Sequence, residues 1–202
     1  MIDLLATFVF FFAVIDPIGT IPVFIAVTQQ YDSRSKRKIA IKATITSAAI
    51  LIFFVVAGEY ILKAIAVPLT AFQIAGGIVL FLFAMTMIFG QGKPEEEIKL
   101  VKNRTETAIF PLAVPSIAGP GAMLAAVLMT ENSRYSVIEQ LQTAGVIVSV
   151  LLVCLIFMLA ASSIHRFIGH GGASIISRVM GLILASVATS NVLGGIKQYF
   201  AL

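Results

Sequence analysis

Apolar residues in this chain do not alternate with polar ones at the period of a surface strand or a two-sided helix. They run on in long blocks that stop at short polar clusters. A hydrocarbon core about 30 Å thick is crossed by roughly 20 helical residues. Windows of that size place spans near 3–28, 39–62, 68–89, 107–130, 138–164 and 174–197. The pattern predicts an all-α membrane protein of six transmembrane helices, forming a single domain over 1–202. No basic segment precedes the first block and no small-residue cleavage site follows before Asp16, so the first helix is expected to stay in the mature protein.

Two of the six blocks are interrupted at their centres. In the first the interruption is Asp16-Pro17-Ile18-Gly19, with Pro22 a turn later; in the fourth it is Pro115-Ser116-Ile117-Ala118-Gly119-Pro120-Gly121. Proline removes a backbone donor and crowds the preceding turn, and glycine permits dihedrals other residues avoid, so both helices should break there. Backbone groups bared to lipid cost several kcal/mol each, so such breaks survive only against protein or a watery cavity. The two breaks are expected to meet near mid-depth. Asp16-Pro17 has the chemistry of a helix start, an Asp at the cap followed by Pro at the first helical position, and Gly119-Pro120 offers a second. Two half-helix N-termini with their N–H groups suit a carboxylate, and Asp16 with the carbonyls of the preceding halves suits an ammonium group. A small zwitterion fits, and Gly19, Ala118, Gly119 and Gly121 leave little room beyond a small side chain.

Each break opens a block of three spans, and the blocks align weakly. An offset of 100 pairs Phe12-Ala13-Val14 with Leu112-Ala113-Val114 and Gly19 with Gly119, and an offset of 105 pairs Gly76 with Gly181. Three spans per half, an odd number, make the halves cross in opposite senses, an inverted repeat of about 1–90 and 107–202. The polar stretch 91–106 is the expected linker. Eleven of the fourteen basic residues, among them Arg34, Lys36, Arg37, Lys38, Lys42, Lys93, Lys99 and Arg178, fall at one end of the predicted bundle, and Lys63, Arg134 and Lys197 at the other. The positive-inside bias makes the first end cytoplasmic and places both termini outside.

Composition agrees with this picture and narrows the chemistry. Hydrophobic residues are 59% and charged residues 12%, with a mean hydropathy of +1.02, more apolar surface than a water-soluble domain of this size could bury. The net charge of +4 is spread over loops without aromatic interleaving, so it reads as an orientation signal with anionic lipid headgroups as its partner, and no nucleic acid is expected. With one cysteine, Cys154, there is no internal disulfide. No zinc-binding HExxH helix, no second membrane-buried aspartate to pair with Asp16 and no nucleotide-binding P-loop are found, so the chain is not expected to be an enzyme, to hold a metal or cofactor, or to couple to ATP. His165 and His170 read as solvated residues of a loop between the fifth and sixth spans. A secondary transporter remains, with a proton or sodium ion as the candidate coupling ion. A channel is the alternative, as is an exporter of another solute, although drug efflux would call for a roomier cavity than small residues leave. Oligomers are common in such bundles, but no interface is legible.

The stretches DPIGTIPVF at 16–24, FQIAGGIVLF at 72–81, PLAVPSIAGPGAM at 111–123 and RVMGLIL at 178–184 together resemble the MarC family over essentially the whole chain. The resemblance implies a prokaryotic inner-membrane protein of six spans, acting as a transporter of small neutral amino acids such as glycine and alanine. Carried over by motif, it implies a substrate region of Asp16, Pro17, Gly19 and Pro22 with Ala118, Gly119, Pro120 and Gly121.

Overall fold

The computed structural model describes residues 3–89, 112–132 and 134–200, the side chains of 165–170 and 173 excepted. Among them every regular element is helical: α1 (Leu4–Ile15), α2 (Pro17–Val27), α3 (Ser33–Ala64), α4 (Leu69–Phe89), a π-helical turn (Leu112–Ile117), α5 (Pro120–Leu128), α6 (Val137–Leu159) and α7 (Ala161–Tyr199). Local chemistry sets the starts. The Asp3 carboxylate accepts the Leu5 and Ala6 N–H groups at the head of α1, Asp32 caps α3, and Ser136 and Glu139 close a reciprocal capping box on α6.

Five stretches are long and apolar enough to cross a membrane: Leu4–Val27, Ser33–Ala64, Leu69–Phe89, Val137–Leu159 and Ser174–Tyr199. The stretch expected as the fourth span, 107–130, is not among the five and holds the π turn and α5; its first residues, 107–111, lie outside the described residues, as does the predicted linker 91–106. The Leu4–Val27 window is 61% buried, against 22% to 39% for the other four, so the broken first span is the centre of the bundle and the others form its wall. The wall faces outward with apolar side chains: Leu141, Val148, Leu152, Ile156 and Leu159 form an exposed stripe at helical spacing along α6. Such a stripe needs lipid around it.

Two boundaries differ from expectation. The second span begins at Ser33 rather than near 39, so Arg34, Lys36, Arg37 and Lys38 ride on a helical extension instead of a loop. The loop expected between spans five and six is a single turn at Ala160, after which α7 runs unbroken for 39 residues. Its length, about 58 Å at 1.5 Å per residue, is roughly twice the hydrocarbon thickness. The run 169–172 holds three glycines and no proline, and glycine only weakens a helix by ~1 kcal/mol where proline stops it. His165 and His170 therefore lie on a helix, with side chains outside the described set.

The elements exchange partners across the bundle. α1 and α2 pack on α6 and α7, while α5 packs on α3 and α4; α3 meets α6, and α4 makes its most extensive contact with α7. The α4–α7 seam is close because small residues line it. A Cβ at Gly77 would stand 3.0 Å from the Ala188 carbonyl oxygen and 2.7 Å from Val192, and one at Gly181 would stand 3.1 Å from the Ala84 oxygen and 2.9 Å from Met87. Gly77→Leu and Gly181→Leu are each expected to force the two helices apart, lowering stability by about 1–3 kcal/mol. The midpoint of thermal unfolding in detergent measures the loss. Gly145→Leu is the control and should leave it unchanged, since nothing lies within 4 Å of its Cβ position.

Candidate functional site

The break in the first span is one residue wide. Asp16 takes a left-handed conformation, φ 49° and ψ 68°, ending α1 and capping α2 at once. Left-handed backbone is disfavoured for most side chains but tolerated by Asp, whose short carboxylate can bond locally. Here it accepts the Gly19 N–H at 2.9 Å, while the Asp16 N–H donates to the Phe12 carbonyl at 3.0 Å. Pro17 is the first residue of α2 and has no N–H to offer the Ala13 carbonyl a turn earlier. Gly19 is obligatory for this cap, because a Cβ there would overlap the Asp16 carboxylate. The expected four-residue interruption is thus narrower, with Pro17, Ile18 and Gly19 already helical and Pro22 carried inside α2, half-buried.

The second break is wider. Val114 is extended (φ −140°, ψ 120°) inside the π turn, its bond to Pro115 is cis, and the chain re-enters helix at Pro120 with Gly119 as the cap. A Cβ on Gly119 would lie 2.8 Å from the Pro115 carbonyl oxygen, a backbone atom that cannot step aside. The cap of α5 is Gly119, which has no side chain to bond the first turn of the helix. The two helix starts therefore differ: α2 carries its own carboxylate, and α5 does not.

The breaks touch. The Thr20 and Ser116 hydroxyls stand 3.5 Å apart, both buried, and Thr20 also donates to the Asp16 carbonyl at 3.0 Å. Gly121 abuts Val14 of α1 and Leu80 of α4, where a Cβ would come within 3.4 Å and 2.8 Å. The Ala113 carbonyl accepts the Ala118 N–H at 2.8 Å and the Ser47 hydroxyl of α3 at 3.3 Å. Asp16, Pro17, Gly19, Ala118 and Gly121 are buried together here, Pro22 and Gly119 are half-buried, and Pro120 is exposed. Sequence reasoning did not single out Thr20, Ser47 or Ser116; Thr20, one turn beyond Asp16, and Ser116, inside the second interruption, carried the only available signal.

Two cavities approach this centre from opposite ends. One of about 680 Å³ is lined by Phe24, Thr28, Ser33, Lys36, Arg37 and Ser162; one of about 380 Å³ by Asp3, Thr7, Phe10, Leu128, Met129 and Asn191. Neither is lined by a residue of either break. Elsewhere Glu59 and Lys63 pair at 2.6 Å, Arg178 is exposed, and the Thr189 hydroxyl bonds back to the Ala185 carbonyl.

Comparison with known proteins agrees with the motifs. A model described as MarC family integral membrane protein matches residues 1–200. The UPF0056 membrane protein MJ1677 of Methanocaldococcus jannaschii is 37% identical over 193 residues, covering 92% of each chain. A UPF0056 membrane protein of Archaeoglobus fulgidus is 32% identical over 96% of this chain and 92% of its own, and the UPF0056 membrane protein YvbG of Bacillus subtilis 33% identical over 96% and 93%. No solved structure matches.

Proposed function

The chain belongs to the MarC family of integral membrane proteins, and from that premise we propose that it is a secondary transporter of small neutral amino acids, glycine and alanine among them, working by alternating access. The observation that carries the reading is the meeting of the two breaks at Thr20 and Ser116. Irregular backbone at membrane depth survives only against protein or a watery cavity, and half-helix ends at that depth are a standard means of holding a charged solute. The solute's ammonium group sits against Asp16 and the carbonyl end of α1; its carboxylate sits at the uncapped start of α5, against the Gly121 and Ala122 amides. Pro17, Gly19, Pro22, Ala118, Gly119 and Pro120 shape the two turns and keep the pocket small.

The reading includes six spans in two inverted halves, 1–90 and 107–202, joined by 91–106 and acting as one domain. The reciprocal packing supports it, since α1 and α2 lie on α6 and α7 while α5 lies on α3 and α4. The glycine seam supports it too: Gly77 faces Val192 as Gly181 faces Met87, with 104 residues between the glycines and 105 between their partners. The basic end is assigned to the cytoplasm of a prokaryotic inner membrane by the positive-inside bias. Burial of both breaks away from the two cavities favours alternating access over an open channel. A proton or sodium gradient is the proposed drive, with no cofactor and no catalytic step.

The test is uptake of labelled glycine and alanine into proteoliposomes, with and without an inward proton or sodium gradient. Saturable uptake, competed by unlabelled small amino acids and driven by one of the gradients, is expected. Absence of uptake by folded protein in every gradient, or ion conductance in its place, overturns the reading.

A further inference from the structure

At the end of the bundle opposite the basic extension of α3, the connection between α5 and α6 is tied to four helices. Arg134 Nε lies 3.0 Å from Glu131 Oε2 within the connection itself. Its Nη2 reaches Gln73 Oε1 of α4 at 3.5 Å and also bonds the Gln198 side chain of α7. The Asn132 N–H donates to Glu59 Oε2 of α3 at 2.7 Å, and Gln140 Nε2 of α6 donates to Asn132 Oδ1 at 2.9 Å. Gln73 and Glu131 are buried.

These bonds join two groups of helices. α4 and α7 form one closely packed pair, whereas α3 packs on both α5 and α6, the two helices that carry the connection, and α5 also touches α4. At this end Arg134 carries side-chain hydrogen bonds from the connection to both members of the α4–α7 pair. It crosses onto neutral amides and keeps its carboxylate partner, Glu131, on its own side. The crossing bonds can therefore break without stripping the guanidinium of its counter-charge. Rigid rocking of one helix group against another around a fixed site is the usual geometry of alternating access.

We propose that Arg134, held by Gln73 and Gln198, is the latch of the gate at this end, and that its release opens the route from this side to the two breaks. The inference rests on the transporter reading and adds a gate to it. At the other end Lys36 and Arg37 line the larger cavity.

The experiment follows access rather than transport, so the two readings fail separately. In a Cys154→Ser background, Thr20→Cys is labelled by a membrane-impermeant maleimide added from the Arg134 side of oriented proteoliposomes. Arg134→Ala, and separately the pair Gln73→Leu and Gln198→Leu, should each speed labelling by about tenfold, as expected of a shifted gate equilibrium, with Arg134→Lys in between. Thermal unfolding of each variant shows that the fold is kept. Unchanged labelling in folded Arg134→Ala and in the glutamine pair overturns the latch even where uptake is intact. Faster labelling without amino acid uptake keeps the latch and removes the solute.

Discussion

Asp16→Asn is expected to fold like wild type and to lose uptake, while Asp16→Ala loses both stability and uptake. Asparagine keeps the side-chain oxygen that accepts the Gly19 N–H at 2.9 Å, and it tolerates the left-handed backbone at φ 49°. What it removes is the charge. A charge-assisted bond to an ammonium group is worth about 1.5–3 kcal/mol, so uptake at limiting solute should fall roughly ten- to hundredfold. Alanine removes the cap as well, at a cost of about 1 kcal/mol, and is poorly suited to the left-handed turn. Initial uptake rates measured beside unfolding midpoints separate the two effects. An Asp16→Asn variant that transports normally would reduce Asp16 to a helix cap.

The second large effect is at Gly19, and its sign depends on Asp16. Gly19→Ala drives a methyl group into the Asp16 carboxylate, so stability should drop by about 1–3 kcal/mol and uptake with it. In an Asp16→Ala background the obstacle is gone, and the same substitution should be neutral or stabilising, because alanine favours a helix over glycine by ~1 kcal/mol. A double-mutant cycle on the unfolding free energy reads the coupling directly. Additive effects would mean that the carboxylate does not lie over Gly19.

Where local chemistry decides an element, the sequence was legible. Asp16-Pro17 and Gly119-Pro120 announced helix starts because a cap followed by proline works through neighbouring atoms alone. Contacts set by the register of distant elements were not legible. Thr20 and Ser116 are 96 residues apart, and their meeting depends on how far each broken helix slides against the other. Arg134 read as one of three basic residues at the sparsely charged end; that it reaches Gln73 and Gln198 follows only from the packing of α4 on α7. The run after Ala160 was misread because the apolar windows stop at 164 and resume at 174, whereas α7 carries the polar residues between them through as helix.

The most direct test of the central claim, that the two breaks meet at the place where solute passes, is a reversible cross-link between them. In a Cys154→Ser background, Thr20→Cys with Ser116→Cys places two thiols where hydroxyls now stand 3.5 Å apart. Oxidation should form a disulfide and stop glycine uptake, and reduction should restore it. Failure to cross-link would contradict the meeting of the breaks, and a complete cross-link that leaves uptake unchanged would contradict their role as the solute site.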